Sequence, residues 1–250
     1  MEVDIRSPII YNLISYPKFD TTEYCKRINH LEKMGIKNVI LEGCTKLYDL
    51  KILGKGHAGI VLKVNTHCGD IVALKIRRLD SRRKNCLIEV RCQKLANLVG
   101  IGPRIIDSND DLILMEYIVG SRISDWFIDQ HNSLNITTQN IRQIVIELLE
   151  QCYRLDRVNL DHGELTRIDR HVMISDKNNV SIIDFESSSI NRRPSNVTSV
   201  TQALFLSGTV SKKISQYVKI SNQDQLIKCL KEYKNQKTRN HFEKILYKIN

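Results

Sequence analysis

The most informative segment of the chain is Gly54-Lys55-Gly56-His57-Ala58-Gly59-Ile60-Val61, which fits the pattern G-x-G-x-x-G-x-V at every fixed position. Similar glycines occur in the turn of dinucleotide-binding folds, where a strand leads into a helix. Here β-branched residues follow the last glycine, so we expect the turn to join two strands. Glycines in such a turn let backbone N–H groups approach phosphate oxygens. For this segment alone, an ordinary glycine-rich hairpin is the alternative.

The next informative segment is Val72-Ala73-Leu74-Lys75, which places a lysine near the end of an apolar strand. Lysine is almost never fully buried without a partner, so we expect an anion beside it. Glu89, in the helix predicted over residues 85–98, can supply one partner, and a phosphate can supply another. The alternative is a lysine on an edge strand that reaches solvent.

Around these segments the sequence predicts strands first and helices afterwards. The periodicity predicts strands over residues 36–41, 47–53, 60–64, 71–76, 104–107, 112–117, 171–175 and 180–183, helices over 21–34, 85–98 and 137–157, and two or three helices in the last 55 residues. This order indicates a β-rich half up to about residue 115 and a helical half from about residue 123.

Taken in order, these segments resemble the characteristic motifs of the protein kinase fold. Residues 54–61, Lys75 and Glu89 are similar to its glycine-rich loop, strand lysine and helix glutamate. Met115-Glu116-Tyr117 resembles the hinge whose backbone binds adenine, and we include Ile118 in it. Two later segments also resemble kinase motifs. The first, His162-Gly163-Glu164-Leu165, resembles the catalytic loop, and the second, Asp184-Phe185-Glu186, resembles the metal-binding D-F-G. The resemblance covers about residues 47–190.

The His-Gly-acid loop is closer to atypical branches than to common Ser/Thr kinases. It resembles the RIO kinases, the kinase of the tRNA-modifying KEOPS complex, and the aminoglycoside and choline phosphotransferases. The chain is most similar to compact archaeal proteins labelled predicted Ser/Thr protein kinases. This resemblance implies an α+β, bilobal protein-kinase-like fold, with a β-rich N-lobe that has one helix and a reduced, mostly helical C-lobe. The predicted parts are an N-terminal extension with a short helix and strand (1–45), the N-lobe (46–115), the hinge (116–122) and the compact C-lobe (123–250).

The resemblance also implies roles for individual residues, with ATP and Mg²⁺ as cofactors and Mn²⁺ as a possible substitute. Lys75, Glu164 and Asp184 would be catalytic, with Glu164 orienting the attacking hydroxyl. Asp184 and Asp169 would bind the metal; His171 is the alternative second ligand, but its nitrogen suits Mg²⁺ poorly. The residues predicted to bind the nucleotide are Gly54, Lys55, Gly56, His57, Ala58, Gly59, Val61, Lys75, Glu89, Met115, Glu116, Tyr117 and Ile118.

The sequence departs from the kinase pattern after the glycine-rich half. Glu164 stands where the wider family has Asp, and Glu186 replaces the glycine of D-F-G. No A-P-E follows, so a large peptide-binding platform is not expected. Basic side chains in the short segment after Asp184 are candidates for contact with an acidic or phosphorylated substrate, or are plain surface charges; they are Arg192 and Arg193. Nearby hydroxyls are candidate autophosphorylation sites, namely Ser195, Thr198 and Ser199.

Composition limits the class of protein but does not name a partner. The formal net charge of +10 suits phosphate-rich ligands, and the seven cysteines form no CxxC pair, which favours a reducing cytoplasm. No apolar run is long enough for a membrane span, and no DNA partner is predicted. The leading prediction is an ATP-dependent protein Ser/Thr kinase, with autophosphorylation possible. The alternatives are a small-molecule kinase, a non-catalytic nucleotide-binding module, and an ATPase of tRNA modification or ribosome assembly with an RNA or ribosome-associated partner.

Overall fold

The computed structural model describes residues 1–133, 137–207 and 210–249, and these form a mixed α+β structure. The chain divides into two compact units. The first contains residues 1–94 and 103–117, and the second contains residues 95–102 and 118–250. In the described ranges, no helix combines the length and the apolar character that a bilayer span requires.

The first unit is built on one antiparallel sheet. Its strands are β1 (Glu2–Asp4), β2 (Ile36–Ile40), β5 (Gly54–Lys55), β6 (Gly59–Thr66), β7 (Ile71–Arg77), β8 (Ile105–Ser108) and β9 (Leu112–Glu116), while β3 (Thr45–Leu47) and β4 (Leu50–Ile52) form a separate pair. The main sheet has the order β1-β2-β6-β7-β9-β8, and β5 pairs with β6. The longest ladder joins β6 to β7, with Val61 opposite Lys75. Strand β7 is therefore an interior strand.

The N-terminal extension (residues 1–45) contains more structure than the one helix and one strand that we expected. Besides β2 it has β1, a short 3-10 helix (Pro8–Ile10) and two α-helices, α1 (Tyr11–Ile14) and α2 (Thr21–Lys33). Asp20 caps α2 by accepting a hydrogen bond from the Glu23 backbone N–H at 2.8 Å. The three residues of β1 and four of α1 are too few to give a periodic signal, which explains why the sequence did not predict them.

The extension is also part of the core of the first unit. Fully buried apolar side chains from its helices belong to the same cluster as those of β6 and β7; the cluster includes Ile10, Leu13, Ile14, Leu31, Ile60, Leu62, Val64, Leu74 and Ile76. Burying a side chain of this kind stabilises the fold by roughly 1.5–3 kcal/mol. The remaining helix of this region, α3 (Leu87–Leu98), begins in the first unit, and the division between the units falls after Lys94.

The second unit is mostly helical. Its elements are β10 (Ser121–Arg122), α4 (Ile123–Ser133), α5 (Thr138–Arg157), α6 (Ile168–His171), β11 (Val172–Ile174), β12 (Val180–Ile182), α7 (Asn196–Phe205), α8 (Ser211–Ile214), α9 (Gln223–Asn235) and α10 (Arg239–Leu246). Among the described residues of the last 55 there are thus four helices, because α8 is a single turn that the sequence pattern did not separate. Thr137 caps α5 through the backbone N–H of Asn140, and the apolar face of α5 is buried.

Candidate active site

The glycine-rich segment forms a turn between β5 and β6, so it joins two strands as predicted. Its tip is exposed, from Lys55 to His57, and the backbone N–H of Gly56 donates to the Gly59 carbonyl at 2.8 Å. A Cβ atom at Gly59 would lie 2.9 Å from the Ile76 carbonyl oxygen and 3.2 Å from Lys75 Cε. Glycine at position 59 therefore lets the turn lie close against β7.

Lys75 and Glu89 form a buried ion pair in the first unit. Lys75 Nζ lies 2.6 Å from Glu89 Oε1, and the two side chains are only 8% and 5% exposed. Because β7 lies between β6 and β9 in the sheet, an edge-strand lysine that reaches solvent is excluded. Placing two charges in a low-dielectric region is unfavourable unless they are closely paired, so this arrangement is stable only with both partners present.

The predicted hinge begins at the end of β9, which stops at Glu116. Met115 pairs with Ala73 in the sheet, and its sulfur accepts from Gln93 Nε2 at 3.5 Å. The backbone N–H of Glu116 donates to the Arg104 carbonyl at 2.9 Å. Sheet pairing thus uses the backbone groups of these residues. Among the residues predicted to contact adenine, Tyr117 and Ile118 follow Glu116, the last residue of β9 that pairs with β7.

In the second unit, His162 of the His-Gly-acid loop is completely buried. Its Nε2 donates to the Ile183 carbonyl at 3.1 Å, and its ring centroid lies 5.1 Å from that of Phe185. Burial, together with the repulsion that a protonated His171 would exert, lowers the pKa of His162 to about 4. The ring is therefore neutral at pH 7 and serves to connect the loop to the backbone just before Asp184.

Gly163 is required by the geometry of the same loop. Its φ is +88°, in the left-handed region that favours glycine, and a Cβ atom there would lie 2.7 Å from the Ser187 carbonyl oxygen. The close approach sets the direction in which the chain reaches Glu164, whose side chain is 29% exposed. The glycine of the motif is thus explained by packing within the second unit.

The structure brings His171 between the two acids that the resemblance makes catalytic. His171 Nε2 lies 3.6 Å from Glu164 Oε2, and Nδ1 lies 4.0 Å from Asp184 Oδ2. The side chain of His171 is 7% exposed, whereas that of Asp184 is 35% exposed. Burial lowers the pKa of His171 even though both carboxylates act to raise it. A neutral imidazole therefore lies beside two carboxylates.

The fit of a metal ion depends on the oxygen donors of this region. Glu164, Asp169 and Asp184 offer carboxylate oxygens, which Mg²⁺ prefers. Asp169 lies in α6 and is half-buried, and its charge is one of those that raise the pKa of His171. Within residues 1–133, 137–207 and 210–249, no three His, Cys, Asp or Glu side chains are already arranged to hold a metal ion. The donor chemistry fits Mg²⁺, and binding requires these side chains to draw together.

Asp184 is held in an unusual backbone conformation. Its φ is +68°, which is uncommon for a residue with a side chain. On one side, the Ile183 N–H donates to the His171 carbonyl at 2.9 Å; on the other, Phe185 is fully buried against Gly102, where a Cβ atom would lie 2.6 Å from the ring. Strained conformations of this kind cluster at functional sites, because the surroundings must enforce them.

The segment after Asp184 is fixed by side chains whose role the sequence did not reveal. Arg192 donates to Asp161 Oδ2 at 2.9 Å and to the Ser187 carbonyl at 2.6 Å, and Arg193 donates to the Lys234 and Asn235 carbonyls. The two arginines therefore bind groups of their own unit, although both residues are exposed. A contact with an acidic or phosphorylated substrate stays a prediction.

Asp161 also receives hydrogen bonds from the residue that precedes α7. Both the backbone N–H and the hydroxyl of Ser195 donate to Asp161 Oδ1, at 3.1 and 3.4 Å, and the Thr198 hydroxyl donates to the Ser195 carbonyl at 2.9 Å. The Ser199 hydroxyl lies 3.4 Å from that of Ser195, so all three candidate phosphorylation sites have hydroxyl groups engaged in local structure. Only the position of Asp161, directly before His162, could have indicated its importance in the sequence.

A second buried network connects the His-Gly-acid loop to the helices. Asn196 accepts from the His162 N–H at 2.9 Å and donates to Asp156 Oδ1 at 2.8 Å. Asp156 also accepts from the Asn196 N–H at 3.0 Å and from the Tyr233 hydroxyl at 2.9 Å. Burial raises the pKa of Asp156 and that of Tyr233. The loop that carries Glu164 is therefore anchored at its first residue.

The chain matches none of the protein-family models and none of the curated proteins with which it was compared. The kinase interpretation consequently depends on the ordered motifs of the sequence and on the contacts of these residues.

Proposed function

We propose that the protein is an ATP-dependent phosphotransferase, most closely an atypical Ser/Thr protein kinase that transfers the γ-phosphate of ATP to a protein hydroxyl. The observation that carries the proposal is the buried Lys75–Glu89 pair, at 2.6 Å, beside a glycine turn that packs directly on β7. A lysine ammonium has three N–H donors, so it can bind phosphate oxygens while Glu89 keeps it in place. Such a pair supports phosphate binding better than a purely structural role, because a buried ion pair adds little net stability.

The residues of the second unit would perform the transfer. Glu164 would orient the attacking hydroxyl and accept its proton. Asp184, with Asp169 as the second predicted ligand, would hold the metal, and the left-handed φ of Asp184 sets the direction in which its side chain leaves the backbone. When bound, Mg²⁺ would neutralise charge on the phosphate oxygens. His162, Gly163 and Asn196 would keep the loop in position while the substrate enters.

A non-catalytic nucleotide-binding module is the second candidate, and one observation favours it. His171 separates Glu164 from Asp184, with contacts of 3.6 and 4.0 Å to their oxygens. If this imidazole keeps its place, the two acids do not close around a metal, and nucleotide can bind without turnover. The small-molecule kinase and the ATPase of tRNA modification or ribosome assembly stay predictions from the resemblance alone, as does a cytoplasmic location.

The deciding experiment incubates the purified protein with γ-labelled ATP, Mg²⁺ and a generic protein substrate. Label on protein, lost in Lys75→Ala and Asp184→Ala, supports the kinase. Matched controls are Lys51→Ala and Asp176→Ala, which remove an exposed lysine and an exposed acid from the same units and should leave the labelling unchanged. Nucleotide binding without label transfer supports the non-catalytic module. Failure of the wild type to bind ATP at all would reject both.

A further inference from the structure

The carboxylate of Asp111 contacts basic side chains from the N-terminal extension and from the sheet. Its carboxylate is 4% exposed; Oδ2 accepts from Lys26 Nζ at 2.9 Å, and Oδ1 accepts from Arg77 Nε at 2.7 Å. Arg27 Nη2 lies 3.6 Å from the same Oδ1. Lys26 and Arg27 belong to α2 of the extension, whereas Arg77 ends β7, the strand that carries Lys75.

Burying these charged side chains is energetically unfavourable, which indicates that the arrangement does more than stabilise the fold. The side chain of Arg27 is fully buried, and its Nη1 donates to the Ile14 carbonyl at 2.8 Å. Burial lowers the pKa of Arg27, while at Asp111 the hydrogen bonds from Lys26 and Arg77 outweigh burial and hold the pKa below its usual range. Buried charges of this kind are best attested where they fix one particular arrangement.

From Asp111, hydrogen bonds lead directly to the beginning of α3. Asn109 Oδ1 accepts from the backbone N–H groups of Asp111 and Leu112, both at 2.9 Å, which makes a tight turn. The N–H of Cys86 donates to the Asp110 carbonyl at 2.9 Å, and its thiol donates to the Asn109 carbonyl at 2.9 Å. Cys86 immediately precedes α3, so this turn determines where the helix begins.

Arg77 holds the other side of the same helix end. Its Nη1 donates to the Arg78 carbonyl at 3.1 Å and to the Arg83 carbonyl at 3.2 Å, so one side chain contacts Asp111 and the loop that leads into α3. A cavity of about 10 Å³, the size of one water molecule, is lined by Asp111 and Arg77 as well as by Lys75 and Glu89. The two charged groups are therefore separated by one small cavity.

We propose that Asp111 is a positioning residue for the Lys75–Glu89 pair, and that Lys26 and Arg27 of the N-terminal extension contribute to nucleotide binding through it. Asp111 fixes the turn and the loop that determine the start of α3, and Glu89 lies in the first turn of that helix. The effect on nucleotide rests on the proposed function, since it requires Lys75 to bind phosphate.

The test is a cycle of variants in the full-length protein, with the affinity for Mg²⁺·ATP measured by equilibrium binding. We expect Asp111→Asn to weaken binding about tenfold. In a Glu89→Gln background, Asp111→Asn should cause no further loss, because the residue acts through Glu89. An equal loss in both backgrounds would overturn the proposal. The control is Glu32→Gln in α2, the helix that carries Lys26 and Arg27. It removes a partly exposed acid that pairs with Arg6 and should not change the affinity.

Two additions keep the test decisive. Should Asp111→Asn fail to fold, Lys26→Met removes one hydrogen bond from a half-exposed lysine and should weaken binding a few-fold. Hydrogen exchange of the amides of residues 87–94 needs no ATP; it should be faster in Asp111→Asn and in Lys26→Met than in Glu32→Gln. Unchanged exchange in the Asp111 and Lys26 variants would reject the positioning role. If exchange is faster in these variants but the wild-type protein does not bind ATP, only the proposed function is rejected.

Discussion

The two units differ in how their charged residues are paired and buried. In the first, Lys75 and Glu89 are in contact at 2.6 Å and less than a tenth exposed. In the second, Glu164 and Asp184 are about a third exposed and lie 3.6 and 4.0 Å from a histidine that burial keeps neutral. Opposite charges are already matched in the first unit, whereas in the second two acids lie on either side of a neutral histidine. The comparison indicates that packing alone organises the Lys75–Glu89 pair, whereas in the proposed function a cation would have to complete the acidic residues of the second unit.

The largest effect should come from removing Asp184, which the proposed function makes a metal ligand. We expect Asp184→Asn to lower turnover about 10³-fold, since the metal would lose its main predicted ligand. The free energy of unfolding should change little, because the side chain is partly exposed. Steady-state kinetics with a Mg²⁺ titration measure the effect, and Asp176→Asn is the matched control. Normal turnover in Asp184→Asn would show that this acid does not serve the metal.

The first unit should respond in stability as well as in binding. Lys75→Met leaves the Glu89 carboxylate buried without the ammonium at 2.6 Å, and we expect a loss of about 3–5 kcal/mol in the free energy of unfolding. The double variant Lys75→Met/Glu89→Leu removes both charges and should recover most of that loss, while ATP binding stays abolished in both variants. Urea unfolding and equilibrium binding check this. A double variant as unstable as the single one would contradict a matched ion pair.

The buried histidine of the second unit predicts a dependence on pH. The pKa of His162 falls from about 6.5 to about 4 on folding, so its contribution to stability is complete above pH 6.5 and is lost as the pH falls toward 4. The difference corresponds to about 3 kcal/mol at ~1.4 kcal/mol per pKa unit. Urea midpoints measured between pH 7 and 4 should therefore fall more steeply in the wild type than in His162→Asn. Parallel slopes would mean that His162 is not buried in its neutral form.

The smallest expected effect concerns His171. Replacing this imidazole with Asn offers a carbonyl oxygen beside Asp184, and oxygen suits Mg²⁺ better than nitrogen. We expect His171→Asn to lower the Mg²⁺ concentration needed for half-maximal nucleotide binding by a few-fold. His171→Phe, which keeps the volume but offers no ligand atom, is the control. If both variants behave alike, His171 affects the site through the volume of its side chain rather than as a metal ligand.

The sequence predicted those parts of the fold and site that depend on local patterns. The turn between two strands, the lysine on an apolar strand and the acid on the following helix all come from segments of fewer than 20 residues. The contacts that the sequence did not predict join distant positions. Asn196 bonds to Asp156 across 40 residues, and Lys26 bonds to Asp111 across 85. No periodicity or spacing records such pairs, because they form only when the elements pack.

The two outer glycines of the turn differ in the space around them, and this difference has a practical use. Position 59 has no room for a methyl group, whereas nothing lies within 4 Å of a Cβ atom at position 54, and the φ of Gly54 is not in the left-handed region. A cysteine at position 54 could therefore carry a fluorescent dye beside the turn without disturbing the sheet. Once the exposed thiols of Cys25, Cys44 and Cys68 are replaced, the label would report ligand arrival in real time.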